Sequence, residues 1–315
     1  MKITALAGGI GAGKFLRGLV RAVPATDVTA IVNTGDDIVM HGLWVSPDLD
    51  SVTYWLGDAF DRERGWGRRG ETFRATEELA RFDPDAAWFG LGDLDLATHL
   101  FRTRELAAGA KLSGVTSRIS ARFGVASKVL PMSDDPVTTR ITVLDEGEQR
   151  ELHFQEYWVR RRAADEVRSF RFDGVDRASA APGVLEAVSS ADVVVVCPSN
   201  PVVSVGPILA VPGVREAVTA RRDVVVGVSP IVGGAPLAGM ADKLMPVAGL
   251  EVSALGAARA YAGLLGGWVI DDADRALADT IAGELGVRVA VTDTIMRDDV
   301  VSEALARTAL DLACL

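Results

Sequence analysis

Cysteine is nearly absent: Cys197 and Cys314 stand far apart, in neither a metal-ligand nor a redox spacing, which excludes a disulfide framework. Cys197 ends the run Val193-Val194-Val195-Val196 and reads as a small core hydrophobe. Long hydrophobic runs are missing too. The longest, Ala260 to Ile270, has eleven residues, three of them glycine, too short to cross a bilayer. The opening Met1-Lys2-Ile3-Thr4-Ala5-Leu6-Ala7 runs directly into glycines, without the cleavage pattern of a secretory signal. The expectation is a soluble cytoplasmic protein with no membrane partner. Positive charge is scarce: 33 Lys and Arg stand against 43 Asp and Glu, a net charge of −10. The one basic run, Arg160-Arg161-Arg162, is followed at once by Asp165 and Glu166. Nucleic-acid binding draws its affinity from phosphate neutralisation, so DNA and RNA are excluded as partners. Internal repeats and low-complexity linkers are also absent.

What is present fits a globular α/β protein: 315 residues, 49% apolar and 24% charged, enough for one large domain. Ile3–Leu6 and Val28–Val32 read as strands around a helix from Lys14 to Ala22, the βαβ rhythm of a parallel sheet. Helical patterns follow at Val52–Phe60, Thr72–Arg81, Leu96–Ala107 and Val115–Phe123. Thr138–Leu144 and Glu151–Val159 alternate around the turn Asp145-Glu146-Gly147-Glu148, which predicts an antiparallel hairpin. Strands resume at Val193–Cys197, Val224–Val228, Trp268–Ile270 and Val287–Val291, with helices at Val252–Leu264, Asp274–Leu285 and Glu303–Leu312. The expected fold is one doubly wound α/β domain over 1–315, with an inserted helical and hairpin lobe at about 49–165.

Five stretches carry chemistry. Gly8-Gly9-Ile10-Gly11-Ala12-Gly13-Lys14 follows the first strand; glycines before a helix N-terminus either cradle a phosphate or simply turn the chain. It matches G-x-x-x-x-G-K, but Phe15 stands where a P-loop needs a hydroxyl. Asn33-Thr34-Gly35-Asp36-Asp37 follows the second strand, at the sheet edge where such folds collect ligands. Its adjacent carboxylates suit magnesium or, equally, a capped turn. Asp48 and Asp50 of Pro47-Asp48-Leu49-Asp50 begin a helix, where the dipole favours acids; they are also candidates to converge with Asp36 on a metal. Gly92-Asp93-Leu94-Asp95 leads into Thr98 and His99, a polar cluster that a core would not choose. Cys197-Pro198-Ser199-Asn200-Pro201 and Ser229-Pro230-Ile231-Val232-Gly233-Gly234 close two further strands. His153-Phe154-Gln155-Glu156-Tyr157-Trp158 puts aromatics on the hairpin, as packing or as a wall for a flat ligand.

These motifs, with Leu130-Pro131-Met132-Ser133-Asp134-Asp135-Pro136, occur in an ordered series that resembles the CofD/FbiA family. The resemblance implies a Rossmann-like fold, a homodimer and a magnesium-dependent transferase of coenzyme F-420 biosynthesis. Such an enzyme moves a phosphorylated three-carbon acid, phosphoenolpyruvate or 2-phospho-L-lactate among them, from a GDP-linked donor to the deazaflavin Fo and releases GMP. On that reading Asp36 or Asp37 binds Mg2+ together with Asp48 and Asp50, and Asp50 also orients or deprotonates the attacking hydroxyl. Gly9, Gly11, Gly13, Lys14, Ser199 and Asn200 hold the phosphates, with Gly233 and Gly234 on the guanosine side. Asp50, Trp88, Thr98 and His99 line the Fo side. Leu94 departs from the family pattern, which commonly has a basic residue between the two acids; Arg102 or Arg104 is the expected substitute. The alternative is a non-catalytic, nucleotide-sugar-binding regulator of the same superfamily.

Overall fold

The computed structural model describes residues 1–86 and 88–314. Seven parallel strands form the main sheet in the order Arg288–Thr292, Gly267–Asp271, Val225–Val228, Val193–Val196, Ile3–Ala7, Val28–Val32 and Lys128–Pro131. Ile3–Ala7 and Val193–Val196 are buried at every position, because helices cover both faces of a parallel sheet; that is why these strands read as continuous apolar runs. Alternate residues serve opposite cores. Leu6, Ile31 and Val196 join one apolar cluster, while Ala5, Val32 and Val195 join the other.

The chain steps from Ile3–Ala7 outward through Val28–Val32 to Lys128–Pro131, then returns to the opposite flank at Val193–Val196. The direction of winding therefore reverses between Ile3–Ala7 and Val193–Val196, and beyond the carboxyl ends of the strands at such a point lies the crevice where open α/β sheets bind their ligands. Ala5 pairs with Ala30 on one side and Val195 on the other. That register sets the loops after residues 7, 32 and 196 side by side.

The doubly wound sheet agrees with the pattern read from the sequence, and several elements differ in detail. Lys128–Pro131 is a sheet strand that the sequence pattern does not mark, so the segment 49–165 returns to the main sheet once. Two short strands, Ile38–Met40 and Leu43–Val45, make a hairpin around His41 and Gly42, both at positive φ. The expected hairpin forms between Thr138–Asp145 and Glu148–His153 but stops at His153, and Glu166–Asp173 adds a third antiparallel strand. Residues 156–160 coil into a single wide helical turn instead. The helix expected over Val252–Leu264 is shorter, Ala254–Arg259. Ser253 caps its start by accepting from the Gly256 N–H at 2.9 Å, and the chain then turns through Gly263 at φ 80°.

Candidate functional site

The first helix begins at Gly9, so the glycine run lies within its opening turns rather than in a free loop. Two of its glycines are there for close approach. A β-carbon on Gly11 would stand 2.4 Å from the Pro198 carbonyl oxygen, and one on Gly13 would stand 2.2 Å from Trp55 Cδ1. Gly11 thus joins the helix to the loop after Val193–Val196, across the crevice. Gly13 packs the helix on Pro47–Leu56. Ser199 fastens the same junction by donating to the Gly8 carbonyl at 2.8 Å. Asn200 accepts from the Val202 N–H at 2.9 Å, while its own amide nitrogen is buried without a partner. Lys14 is half-buried and has no ion pair among the described residues. Gly233 and Gly234 lie at the exposed turn joining Ile231–Val232 to Ala235–Pro236, where the Gly233 N–H donates to Asp274 at 3.0 Å.

Beside the crevice five carboxylates are buried: Asp36, Asp37, Asp48, Asp50 and Asp95. They do not converge on one point. Among the described residues no three His, Cys, Asp or Glu side chains are placed to hold a metal ion together, which corrects the expectation that Asp36, Asp48 and Asp50 converge. The reason is helical geometry. Asp48 and Asp50 are two residues apart on one helix, and such side chains do not share a face. Asp48 accepts from the Asn33 amide at 2.9 Å and from the Gly9 N–H. Asp50 instead meets Arg102, with Nη1 at 3.0 Å from Oδ2 and Nη2 on Oδ1.

Each acid reflects its surroundings. Burial, the Asp48 charge beside it and the nearby Asp37 charge hold the Asp36 carboxyl well above the usual carboxylate range, against a hydrogen bond from Asn33. Burial pushes Asp48 up to about 6. It pushes Asp37 up to about 7, although Ser46 Oγ at 2.7 Å and Trp44 Nε1 at 2.9 Å both donate to Asp37 Oδ2. Asp36 Oδ1 and Asp37 Oδ1 are buried without any partner. An unpaired buried carboxylate oxygen is costly, and magnesium is commonly held by one or two carboxylates completed by water and substrate phosphate. Asp36 and Asp37 therefore fit a divalent cation better than Asp48 or Asp50, whose oxygens already accept hydrogen bonds.

Arg102 is 1% exposed and anchors a second layer. Its Nη1 also lies 3.3 Å from His99 Nδ1. Burial lowers the His99 ring to about 4, so it is neutral at pH 7, accepts at Nδ1 and carries its proton on Nε2. Thr98 is buried as well, its Oγ1 lying 3.1 Å from Tyr54 Oη, which donates to Asp95 Oδ1 at 2.7 Å. Thr98 and His99 thus belong to a buried network and offer little open surface. Trp88 is half-buried against Met40, Val45 and Leu91. Leu94 is 40% exposed, with the Arg68 Nη1 on its backbone carbonyl at 2.7 Å; Arg102 is committed to Asp50, and Arg104 pairs with Glu105 at 2.9 Å.

Sequence reasoning names Asn33 only as part of its motif, with no role of its own, and misses Trp44, Ser46 and Tyr54. Trp44 lines a cavity of about 150 Å³ with Thr34, Asp37 and Thr138. Asn33 and Ser46 each stand within three residues of a candidate Asp, a signal that the motif spacing did contain.

The family model described as 2-phospho-L-lactate transferase CofD matches residues 3–303. A phosphoenolpyruvate transferase of Streptomyces griseus is 51% identical over 314 residues, covering 99% of this chain and 98% of that protein. The one of Thermobifida fusca is 48% identical at the same coverage, and that of Mycolicibacterium smegmatis is 45% identical, with 99% of each chain covered. A crystal structure of a UPF0052-family protein from Bacillus halodurans shares the fold, with a TM-score of 0.64, 17% identity and 98% of each chain covered. Among the described residues no helix is long and apolar enough to cross a membrane.

Proposed function

The chain belongs to the CofD family of transferases, and from that premise we propose that it transfers the enolpyruvyl phosphate group from a GDP-linked donor to the terminal hydroxyl of the deazaflavin Fo. GMP is released and a dehydro form of coenzyme F-420-0 is made. The choice of acid follows the relatives at 45–51% identity, which are named phosphoenolpyruvate transferases. The observation that carries the reading is the pair of unpartnered oxygens on Asp36 and Asp37, buried beside the crevice. A cytoplasmic homodimer is part of the same proposal.

The ribityl hydroxyl of Fo attacks the phosphorus bearing the enolpyruvyl group. One P–O bond forms, the bond to the GMP phosphate breaks, and GMP leaves with the electron pair. Such transfers need positioning and charge neutralisation more than covalent participation. The Asn200 amide nitrogen, a buried donor without a partner, is suited to a phosphate oxygen, as are the N–H groups at the start of the Gly9–Ala22 helix. Asp36 and Asp37 are the residues that would hold magnesium, which would neutralise charge on the diphosphate. Arg102 fixes Asp50 through both carboxylate oxygens, each of which keeps a further lone pair for the attacking hydroxyl and its proton. The half-buried Trp44 and Trp88 rings supply the flat surface that a deazaflavin needs.

Mass spectrometry with purified protein, magnesium, Fo and one of three donors tests the proposal. The donors carry enolpyruvyl phosphate, phospholactate or phosphoglycerate. The enolpyruvyl donor is expected to give the most product; equal or greater turnover of another donor rejects the assigned acid. No product from any donor, with donor binding intact, favours the regulator.

A further inference from the structure

Outside the acidic crevice, a cavity of about 460 Å³ opens between the Asp93–Ala107 and Leu112–Arg122 helices. Its character is opposite to that of the crevice. Three arginines, Arg68, Arg118 and Arg122, line it together with Phe101, Phe123 and Thr98. In a chain of net charge −10, three cations around one cavity call for an explanation. Simple ion pairing supplies only part of one: Arg118 meets Glu105 at 2.5 Å, whereas Arg68 and Arg122 have no ion pair among the described residues.

Two of the guanidinium groups are held in place by the rings. Arg118 lies 4.7 Å from the Phe101 centroid and Arg68 lies 5.0 Å from that of Phe123. Stacking fixes the plane of a guanidinium and leaves its N–H edge free to bond an oxyanion. Arg68 carries a further sign of an absent partner. Its Nη1 donates to the Leu94 carbonyl, but its Nε is buried with nothing to accept from it. Thr98, largely buried, lines the inner side of the cavity.

We propose that this cavity is a binding site for a small organic oxyanion, a phosphate- or carboxylate-bearing metabolite, recognised by Arg68, Arg118 and Arg122. The site is separate from the acidic crevice. It meets the network behind Asp50 through Thr98, whose hydroxyl lies 3.1 Å from Tyr54 Oη, so bound anion and active centre share one wall.

The test uses the full chain without donor, titrated by calorimetry with pyrophosphate and with citrate as separate probes. Arginines are then labelled with phenylglyoxal and located by mass spectrometry, with and without probe. The expected result is binding of at least one probe, with Arg118 and Arg122 protected from labelling and the exposed Arg81 unaffected. Preference for pyrophosphate identifies a phosphate ligand and preference for citrate a polycarboxylate. The double variant Arg118→Gln and Arg122→Gln, both surface changes, is expected to weaken binding by about tenfold or more, the scale of one lost charge-assisted hydrogen bond, with an unchanged melting temperature. Binding of neither probe overturns the proposal. So does binding that leaves Arg118 and Arg122 as reactive as before, particularly if Asn200→Ala abolishes it, since the anion then sits only in the crevice.

Discussion

Arg102 closes its guanidinium over the carboxylate of Asp50, fifty-two positions earlier in the chain, with Nη1 at 3.0 Å from Oδ2. Both partners are buried. Arg102 is therefore the cation around which the second layer of the site is organised: it orients Asp50, sets the tautomer of His99 and offsets part of the charge of Asp37. Replacing it with methionine leaves Asp50 buried and unpaired. The expected loss of stability is about 3–5 kcal/mol, measured by urea unfolding. The double variant Arg102→Met with Asp50→Leu is expected to recover most of that stability without recovering turnover.

Under the proposed function, the acids of the crevice are kept at a cost in stability. Asp36→Asn removes a buried charge whose carboxyl is held well above its usual range by burial, so the variant is expected to melt higher than the parent at pH 8 without magnesium. Its turnover is expected to fall by roughly a hundredfold or more, because a carboxylate that neutralises a cation does what an amide cannot. Calorimetry and the GMP assay read the two effects. A variant that melts lower and turns over normally contradicts the assignment.

Gly11→Ala drives a methyl group into the Pro198 carbonyl at 2.4 Å. The helix and the Cys197–Asn200 loop must then separate at the point where winding reverses. Overpacking of this kind costs about 1–3 kcal/mol, and the expected signature is a raised KM for the nucleotide donor. Gly13→Ala, which meets Trp55 instead, is expected to destabilise the fold with KM unchanged.

Asp95 gives the stability a pH dependence. Burial raises its carboxyl to about 7 against the hydrogen bond from Tyr54, whereas an unfolded aspartate titrates near about 4. A folded value raised above the unfolded one favours the protonated folded state. Its contribution is fully present below about pH 4 and is lost as pH rises to about 7. The wild type is expected to lose a few kcal/mol from this source across that window, on the scale of about 1.4 kcal/mol per pH unit. Asp95→Asn is expected to flatten that part of the curve in urea unfolding at a series of pH values.

Much of this arrangement is legible in the sequence because it is local. Parallel strands buried on both faces write themselves as runs such as Val193–Val196, and loops at strand ends announce themselves by Gly, Asn and Asp. Lys128–Pro131 escapes because a four-residue strand that begins with lysine and ends in proline carries no period; its place at the sheet edge is what tolerates the proline. The Asp50–Arg102 pair escapes for another reason. Nothing in a helix that begins Asp93-Leu94-Asp95 reveals which earlier helix its buried face will meet. Spacing misleads once, at Asp48 and Asp50, where closeness in sequence suggests a shared ion and helical geometry sends the two side chains to different partners.

Release of GMP tests the central claim most directly. Purified protein is mixed with magnesium and the GDP-linked enolpyruvyl phosphate donor, with and without Fo, and GMP is quantified against the deazaflavin product. The account requires one GMP per product molecule with Fo present, essentially none without it, and loss of both in Asp37→Asn. Tight donor binding with no GMP in the presence of Fo, or GMP release that ignores Fo, would contradict a transferase built on this crevice.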